Sequence, residues 1–209
     1  MLILASKSKT RKTLLSSVGL NFLCQTASVD ERALESETRA TGGGPKEVAI
    51  ALSVAKAMAV STSNPEAFVI GADQTLQCGT LEIHKPSTLA DAARQLEALS
   101  GKPHQLHSGV ALVKNGVPLF QHLDSADLEL KPYSKERIEA VLALEGDAVL
   151  SSVGGYRLEG PSARLFQSVK GDYFTILGLP LLPLIEALEI HAPQVFGQKS
   201  IQGQAMGNQ

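Results

Sequence analysis

Apolar and polar positions follow two periods along this chain. Leu2-Ile3-Leu4 is a short apolar run that predicts a buried strand, and Leu14, Leu15 and Val18 share one side of a helix over about residues 11–19. Residues 21–25 predict a second strand, running into a polar, acidic loop around Asp30 and Glu31. Three glycines at 42–44 give a flexible lead into a helix with Pro45 at its first position. Val48, Ala51, Leu52, Ala55 and Ala59 then recur at helical spacing. Residues 67–70 predict a buried strand stopped by Gly71, and residues 79–86 a hairpin partner. An amphipathic helix follows over 88–100, ended by Gly101. Asn115-Gly116 is a strong hairpin turn between two strands. Residues 125–130 alternate like a strand, and 134–144 predict a helix capped by Ser134, with Arg137 where a full capping box carries Glu. Short strands and turns lead to a final helix from about Pro180.

The alternation of strands and helices predicts an α/β fold, and the hairpin makes its sheet mixed. No internal repeat is present. A single domain is expected over 1–191, followed by a flexible Gln- and Gly-rich tail at 192–209. The 209 residues are 44% hydrophobic and 19% charged, enough to bury a core and stay soluble. A net charge of −2 argues against a nucleic-acid partner. Aromatics at 4%, with no Trp, argue against a base-stacking platform. Cys24 and Cys78 form no CxxC pair, so a thiolate zinc site is unsupported. Without a signal-like N-terminus or an apolar run of about 18 residues, a cytoplasmic protein with no membrane partner is expected.

Candidate chemistry gathers at the first strand–helix junction. Lys7, Lys9, Arg11 and Lys12 crowd a helix N-terminus, where the dipole disfavours cations. A polyanion between them reverses that sign, so the junction reads as a phosphate cradle with Ser6 and Ser8 as donors. The plainer reading makes Ser8 a helix cap and leaves the cations in solvent. Asp73 lies just past a strand, where a carboxylate can hold Mg²⁺ or act as base toward water. Lys56 edges an Ala-rich helix face and Lys85 precedes Pro86. Arg11, Lys56, Asp73 and Lys85 together suit phosphate chemistry, which relies on positioning and charge stabilisation. His104 and His107, three apart on a predicted strand, face opposite sides and do not suggest a shared metal. The TGGG stretch lacks the Gly-Lys-Ser/Thr ending of a Walker loop.

These stretches bear a family likeness. LILASKSKTRKTLLSSVG at 2–19, VDE at 29–31, LSVAKA at 52–57, VIGADQ at 69–74, HKP at 84–86, LSGKPHQLHSGVAL at 99–112, GGYRLEG at 154–160 and GDYFTILGLPL at 171–181 resemble the Maf-like nucleoside triphosphate pyrophosphatases. The resemblance implies a Maf/ITPase-like α/β fold, with a mixed twisted sheet in two lobes around a central cleft, often as a homodimer. It also implies hydrolysis of a nucleoside triphosphate to the monophosphate and pyrophosphate with a divalent cation, Mg²⁺ or Mn²⁺. By position, Asp73 matches the general base or metal-linked carboxylate, and Lys56 and Lys85 complete the catalytic set. Ser8 and Arg11 match phosphate-handling positions, and Glu31 a metal-ligating carboxylate. The chain departs from the family where Thr10 and Ala51 replace common arginines. Gln74 and Glu159 resemble the branch acting on 7-methyl-GTP rather than the dTTP- and UTP-cleaving branch, although Thr10 stands where that branch often has Trp. A Glu159 carboxylate can accept from the N–H edge of guanine and favours a cationic, methylated ring. The alternatives are a dTTP/UTP pyrophosphatase and a non-catalytic nucleotide-binding regulator of cell division.

Overall fold

The structure is a computed structural model that describes residues 1–197. Leu2–Leu4 forms β1, flanked by parallel neighbours Leu23–Cys24 (β2) and Phe68–Gln77 (β3). All three residues of β1 are buried, because a central parallel strand is covered on both faces. Pro103–Lys114 (β4), Val117–Leu130 (β5) and Phe166–Lys170 (β6) continue the sheet antiparallel, in the order β2-β1-β3-β4-β5-β6. The mixed α/β sheet is thus as expected. Asn115 (φ 49°) and Gly116 (φ 69°) both take left-handed backbone between β4 and β5, the requirement of a type I′ hairpin.

The helices are α1 Lys9–Ser17, α2 Glu31–Ala40, α3 Pro45–Ser61, α4 Leu89–Leu99, α5 Lys135–Glu145, α6 Tyr173–Ile176 and α7 Leu181–His191. Several expectations change. The acidic segment after Asp30 is not a loop but α2, begun by Asp30 Oδ1 accepting from Ala33 N at 3.0 Å. It buries no residue, and Leu34 is its single large apolar side chain, too little for an apolar run to reveal it in an acidic stretch. Gly71 does not stop its strand: β3 runs on to Gln77. Residues 79–86 form no second strand; only the bridge Cys78–Leu81 pairs them. Val18 caps α1 in solvent rather than packing with Leu14 and Leu15.

Apolar side chains gather in three clusters on one sheet. Along β3, Phe68, Ile70 and Ala72 pack with α1 and α7 on one face, and Val69 packs under α3 on the other. Leu76 and Cys78 belong to a separate cluster with α4 and α5. Between these cores lie Asp73, Gln74 and Thr75, the half-buried polar stretch of the strand. Ala192 and Val195 also pack into the first core, inside the segment expected to be a tail. Residues 198–209, the rest of that segment, lie outside the described residues.

The buried face of α3 is rotated from the expected one. Val48 and Leu52 are buried, but Ala49, Ser53 and Ala57 join them in place of Ala51, Ala55 and Ala59. This stripe of small residues meets two glycines of the sheet. A Cβ at Gly71 would lie 2.0 Å from the Ser53 carbonyl oxygen, and one at Gly109 would lie 2.5 Å from that of Ala49. Both contacts are backbone to backbone, so neither can yield by a rotamer change. Gly71→Ala is expected to lower stability by about 1–3 kcal/mol through overpacking, read as a lower urea midpoint. An unchanged midpoint would show that α3 is free to lift off the sheet.

Candidate active site

The site begins where β1 ends. β1 pairs with β3 only as far as Leu4–Ile70, and the chain then turns into α1. β3 continues without that neighbour, so its carbonyls beyond Gly71 need other donors. Arg11 supplies one. Its Nη1 donates to the Ala72 carbonyl at 2.7 Å and its Nε to that of Gly178 at 2.8 Å. Arg11 is thereby drawn inward and buried, while Lys7 and Lys9 of the same cluster stay exposed and Lys12 is half-buried. Burial lowers the Arg11 pKa, and the charges of Asp73 and Glu31 oppose that shift. Ser8 is the N-cap of α1: its Oγ accepts from Arg11 N at 3.3 Å, leaving its hydroxyl hydrogen to point elsewhere.

On the α3 side of the sheet, Lys56 Nζ donates to Asp73 Oδ1 at 2.5 Å and lies 2.9 Å from Glu31 Oε1. Lys56 and Asp73 are both largely shielded from solvent, whereas Glu31 at the start of α2 is exposed. One ammonium thus joins a strand, a long helix and a surface helix. Thr75 adds a second tie, its Oγ1 donating to the Pro45 carbonyl at 2.8 Å. These carboxylates open on a cleft of about 810 Å³ between α2, α3 and the 79–85 segment, a volume that suits a small-molecule ligand. Lys85 also lines it. Desolvation by the cleft walls lowers the Lys85 pKa, and the charge of Arg11 adds to that effect.

Gln74 projects from the opposite face of β3. Its Nε2 donates to Ser108 Oγ at 2.9 Å and to the Thr175 and Ile176 carbonyls at 3.1 Å. That nitrogen is committed to holding the α6 turn, so only Oε1 remains for a ligand. Gln74, Lys85, Ser8 and Arg11 share a small recess of about 60 Å³ with Thr10, Arg157 and Glu159. Ser8, Arg11, Glu31, Asp73, Gln74, Lys85 and Glu159 line the cleft or the recess. Lys56 lines neither and reaches the site through its contacts with Asp73 and Glu31, while Lys7, Lys9 and Lys12 take no part in either space. Ser6, which accepts from Ser8 N and Arg11 Nη1, belongs to the same junction. Arg157 was missed. It lies two residues before Glu159 in GGYRLEG, and its Nε donates to Glu159 Oε1 at 3.3 Å.

The histidines do not converge. His104 is bonded to Tyr156 and His107 to Ser125 and Gln77. Among the described residues no group of three His, Cys, Asp or Glu could hold a metal ion by itself.

The sequence model of the Maf-like protein family matches residues 1–191. The chain belongs to the Maf-like family. A Rhizobium johnstonii protein named 7-methyl-GTP pyrophosphatase is 49% identical over 187 residues, 90% of this chain and 94% of the relative. A Nitrobacter winogradskyi protein named nucleoside triphosphate pyrophosphatase is 46% identical over 187 residues, 90% of this chain and 92% of its own. Among solved structures, a HAM1 protein from Coxiella burnetii matches at a TM-score of 0.41 and 17% identity, over 62% of this chain and 72% of that one. The α/β assignment of this Maf-like chain rests on its own sheet. Among the described residues, no helix is long and apolar enough to cross a membrane.

His104, bonded behind Tyr156 of the recess wall, makes the stability of the fold sensitive to acid. Its Nδ1 faces the Lys102 carbonyl at 3.3 Å and so carries the hydrogen, and its Nε2 accepts from the Tyr156 hydroxyl at 2.8 Å. Burial lowers the pKa of both His104 and His107 below 6.5. Below pH 6.5 the unfolded chain therefore binds more protons than the folded one. The contribution of these groups to stability is full above that pH and is lost as pH falls through the folded pKa. His104→Asn is expected to flatten the fall of urea-melt stability below pH 6.5 and to cost about 1 kcal/mol at neutral pH. An equally steep acid limb in the variant would remove His104 from this role.

Proposed function

We propose that this Maf-like chain hydrolyses a nucleoside triphosphate to the monophosphate and pyrophosphate. The observation that supports this most is Asp73, held by Lys56 at the mouth of the large cleft with Arg11 and Lys85 close by. Water adds to the α-phosphorus, the α–β anhydride bond breaks, and pyrophosphate departs. Asp73 takes the water's proton, and the second proton goes to solvent. Lys56 steadies the carboxylate and, with Lys85 and Arg11, offsets charge on the phosphate oxygens. Ser8 has a hydroxyl hydrogen to offer the same oxygens.

A divalent cation, Mg²⁺ or Mn²⁺, fits this donor set. Asp73 and Glu31 both direct an oxygen at one cation, Lys56 Nζ, and no soft ligand is present at that point. Two carboxylates are too few for a closed all-protein cage but suit an ion that shares its shell with phosphate and water. When bound, such an ion would polarise the phosphates. The names of the relatives favour 7-methyl-GTP as the nucleotide, as do Gln74 and Glu159 at the recess. The same reading takes a free nucleotide rather than nucleic acid as partner, in the cytoplasm, with a homodimer as the working unit.

Purified protein with Mg²⁺ or Mn²⁺ is expected to release pyrophosphate, with 7-methyl-GTP preferred over GTP, dTTP and UTP. Asp73→Asn should lower kcat by about 10²–10⁴-fold with its melting curve retained; undiminished turnover would sink the role given to that carboxylate. Excess EDTA should stop the reaction, and restored Mg²⁺ should recover it. Tight nucleotide binding without turnover in either metal would instead favour a regulator.

A further inference from the structure

Arg157 is fixed from behind. The Glu145 side chain is wholly buried, and its Oε1 accepts from Ser162 N at 2.8 Å and Ser162 Oγ at 2.7 Å. Its Oε2 accepts from Arg157 Nη1 at 3.4 Å. A carboxylate removed from water in this way requires a cation and several donors, and Arg157 is the cation. Gly160 allows the approach, since a Cβ there would lie 2.6 Å from Glu145 Oε1. Arg157 in turn holds Glu159 by Oε1 alone. Nη2 of Arg157 and Oε2 of Glu159 have no hydrogen-bond partner among the described residues, and both side chains line the recess. Arg11 and Lys85, proposed above to meet the phosphates, line the same recess.

We infer that Arg157 reads the base: with Glu159 it presents a donor beside an acceptor, the complement of the Watson–Crick edge of guanine. The inference rests on the nucleotide reading above and adds the ring and a residue to it. Guanine offers an O6 acceptor next to N1–H and N2–H donors. Arg157 Nη2 donates to O6, and the Glu159 carboxylate accepts from N1–H and N2–H. Adenine turns an amino group toward the arginine and brings an unprotonated ring nitrogen to the carboxylate. Uracil and thymine place a carbonyl where the second donor should be. The recess admits a ring edge rather than a whole nucleoside, which suits reading by the edge. Glu145, Arg157 and Glu159 together carry one excess negative charge, which favours a ring made cationic by methylation. Arginine suits this place better than lysine, which keeps the charge but lacks the fork that reaches Glu145, Glu159 and the base at once.

The test compares KM and kcat for 7-methyl-GTP, GTP, ITP, ATP and UTP in the wild type, Arg157→Met and Arg157→Lys. Arg157→Met should raise KM for GTP and 7-methyl-GTP about 10–100-fold, leave ATP and UTP within a few-fold, and change kcat little. Arg157→Lys should retain part of the guanine preference, and it carries the same test if the Met variant does not fold. ITP, which lacks the 2-amino donor, should have a higher KM than GTP in the wild type. An equal loss for every base, together with a lower melting temperature, would make Arg157 a brace for Glu145 and overturn the inference. If no triphosphate is turned over, the proposed activity fails separately. Calorimetric titration with GMP and UMP then decides: selective loss of GMP binding in Arg157→Met supports base reading, and equal affinities for both in the wild type overturn it.

Discussion

At Gly71 and Gly109 the backbone of α3 lies against β3 and β4 with no side chain between them. Ala49, Ser53 and Ala57 supply the helix side of this contact, one turn apart, and all three are buried. Lys56 follows from it. One position before Ala57, it leaves the helix at the rim of the packed stripe, and Asp73 leaves β3 two residues after Gly71. The short approach lets one ammonium reach that carboxylate. A larger residue at either glycine would push α3 outward and lengthen the Lys56–Asp73 distance. The packing constraint and the chemistry are therefore one feature of the fold.

The second requirement is an edge at which to work. β1 is three residues long and β3 is ten, so β3 outruns its parallel neighbour. The Ala72 carbonyl, buried and without a strand partner on that side, is answered by Arg11, a residue of the helix that follows β1. The arginine thus closes the notch and stays close to the cleft, its charge held by carbonyl oxygens rather than by a carboxylate. Such a cation keeps its positive potential for a ligand, whereas one in a direct ion pair does not. Lys85, although exposed at the rim, has its pKa lowered by partial desolvation and by the charge of Arg11.

Charge is also divided along the site. Arg11, Lys56 and Lys85 outnumber Asp73 and Glu31 where the phosphates are proposed to lie. Glu145 and Glu159 outnumber Arg157 at the other end. Gln74 and Lys85 line both spaces, and Gln74 ties the α6 turn between them. A ligand that is anionic at one end and rich in N–H donors at the other matches this division.

The sequence by itself determined the strand–helix alternation and the Asn115-Gly116 hairpin, and it singled out Arg11, Lys56, Asp73 and Lys85, which the fold brings near one another. Those features are written in local periods, turn chemistry and quoted motifs, and the family likeness covers the same residues. It did not disclose α2, whose single large apolar residue, Leu34, is lost in an acidic stretch, or the true role of Gly71. A glycine in an apolar run reads as a break, and only the helix lying across it shows that it marks a close approach. Nor could it show that Arg11 turns inward while the lysines beside it do not, because the carbonyls that draw it in come from Ala72 and Gly178, far along the chain. Arg157 was hidden for the same reason. Its meaning depends on Glu145, twelve residues earlier and on another element. Periodicity reports what a segment does with its own residues; which charge is buried, and against what, is decided only when distant segments meet.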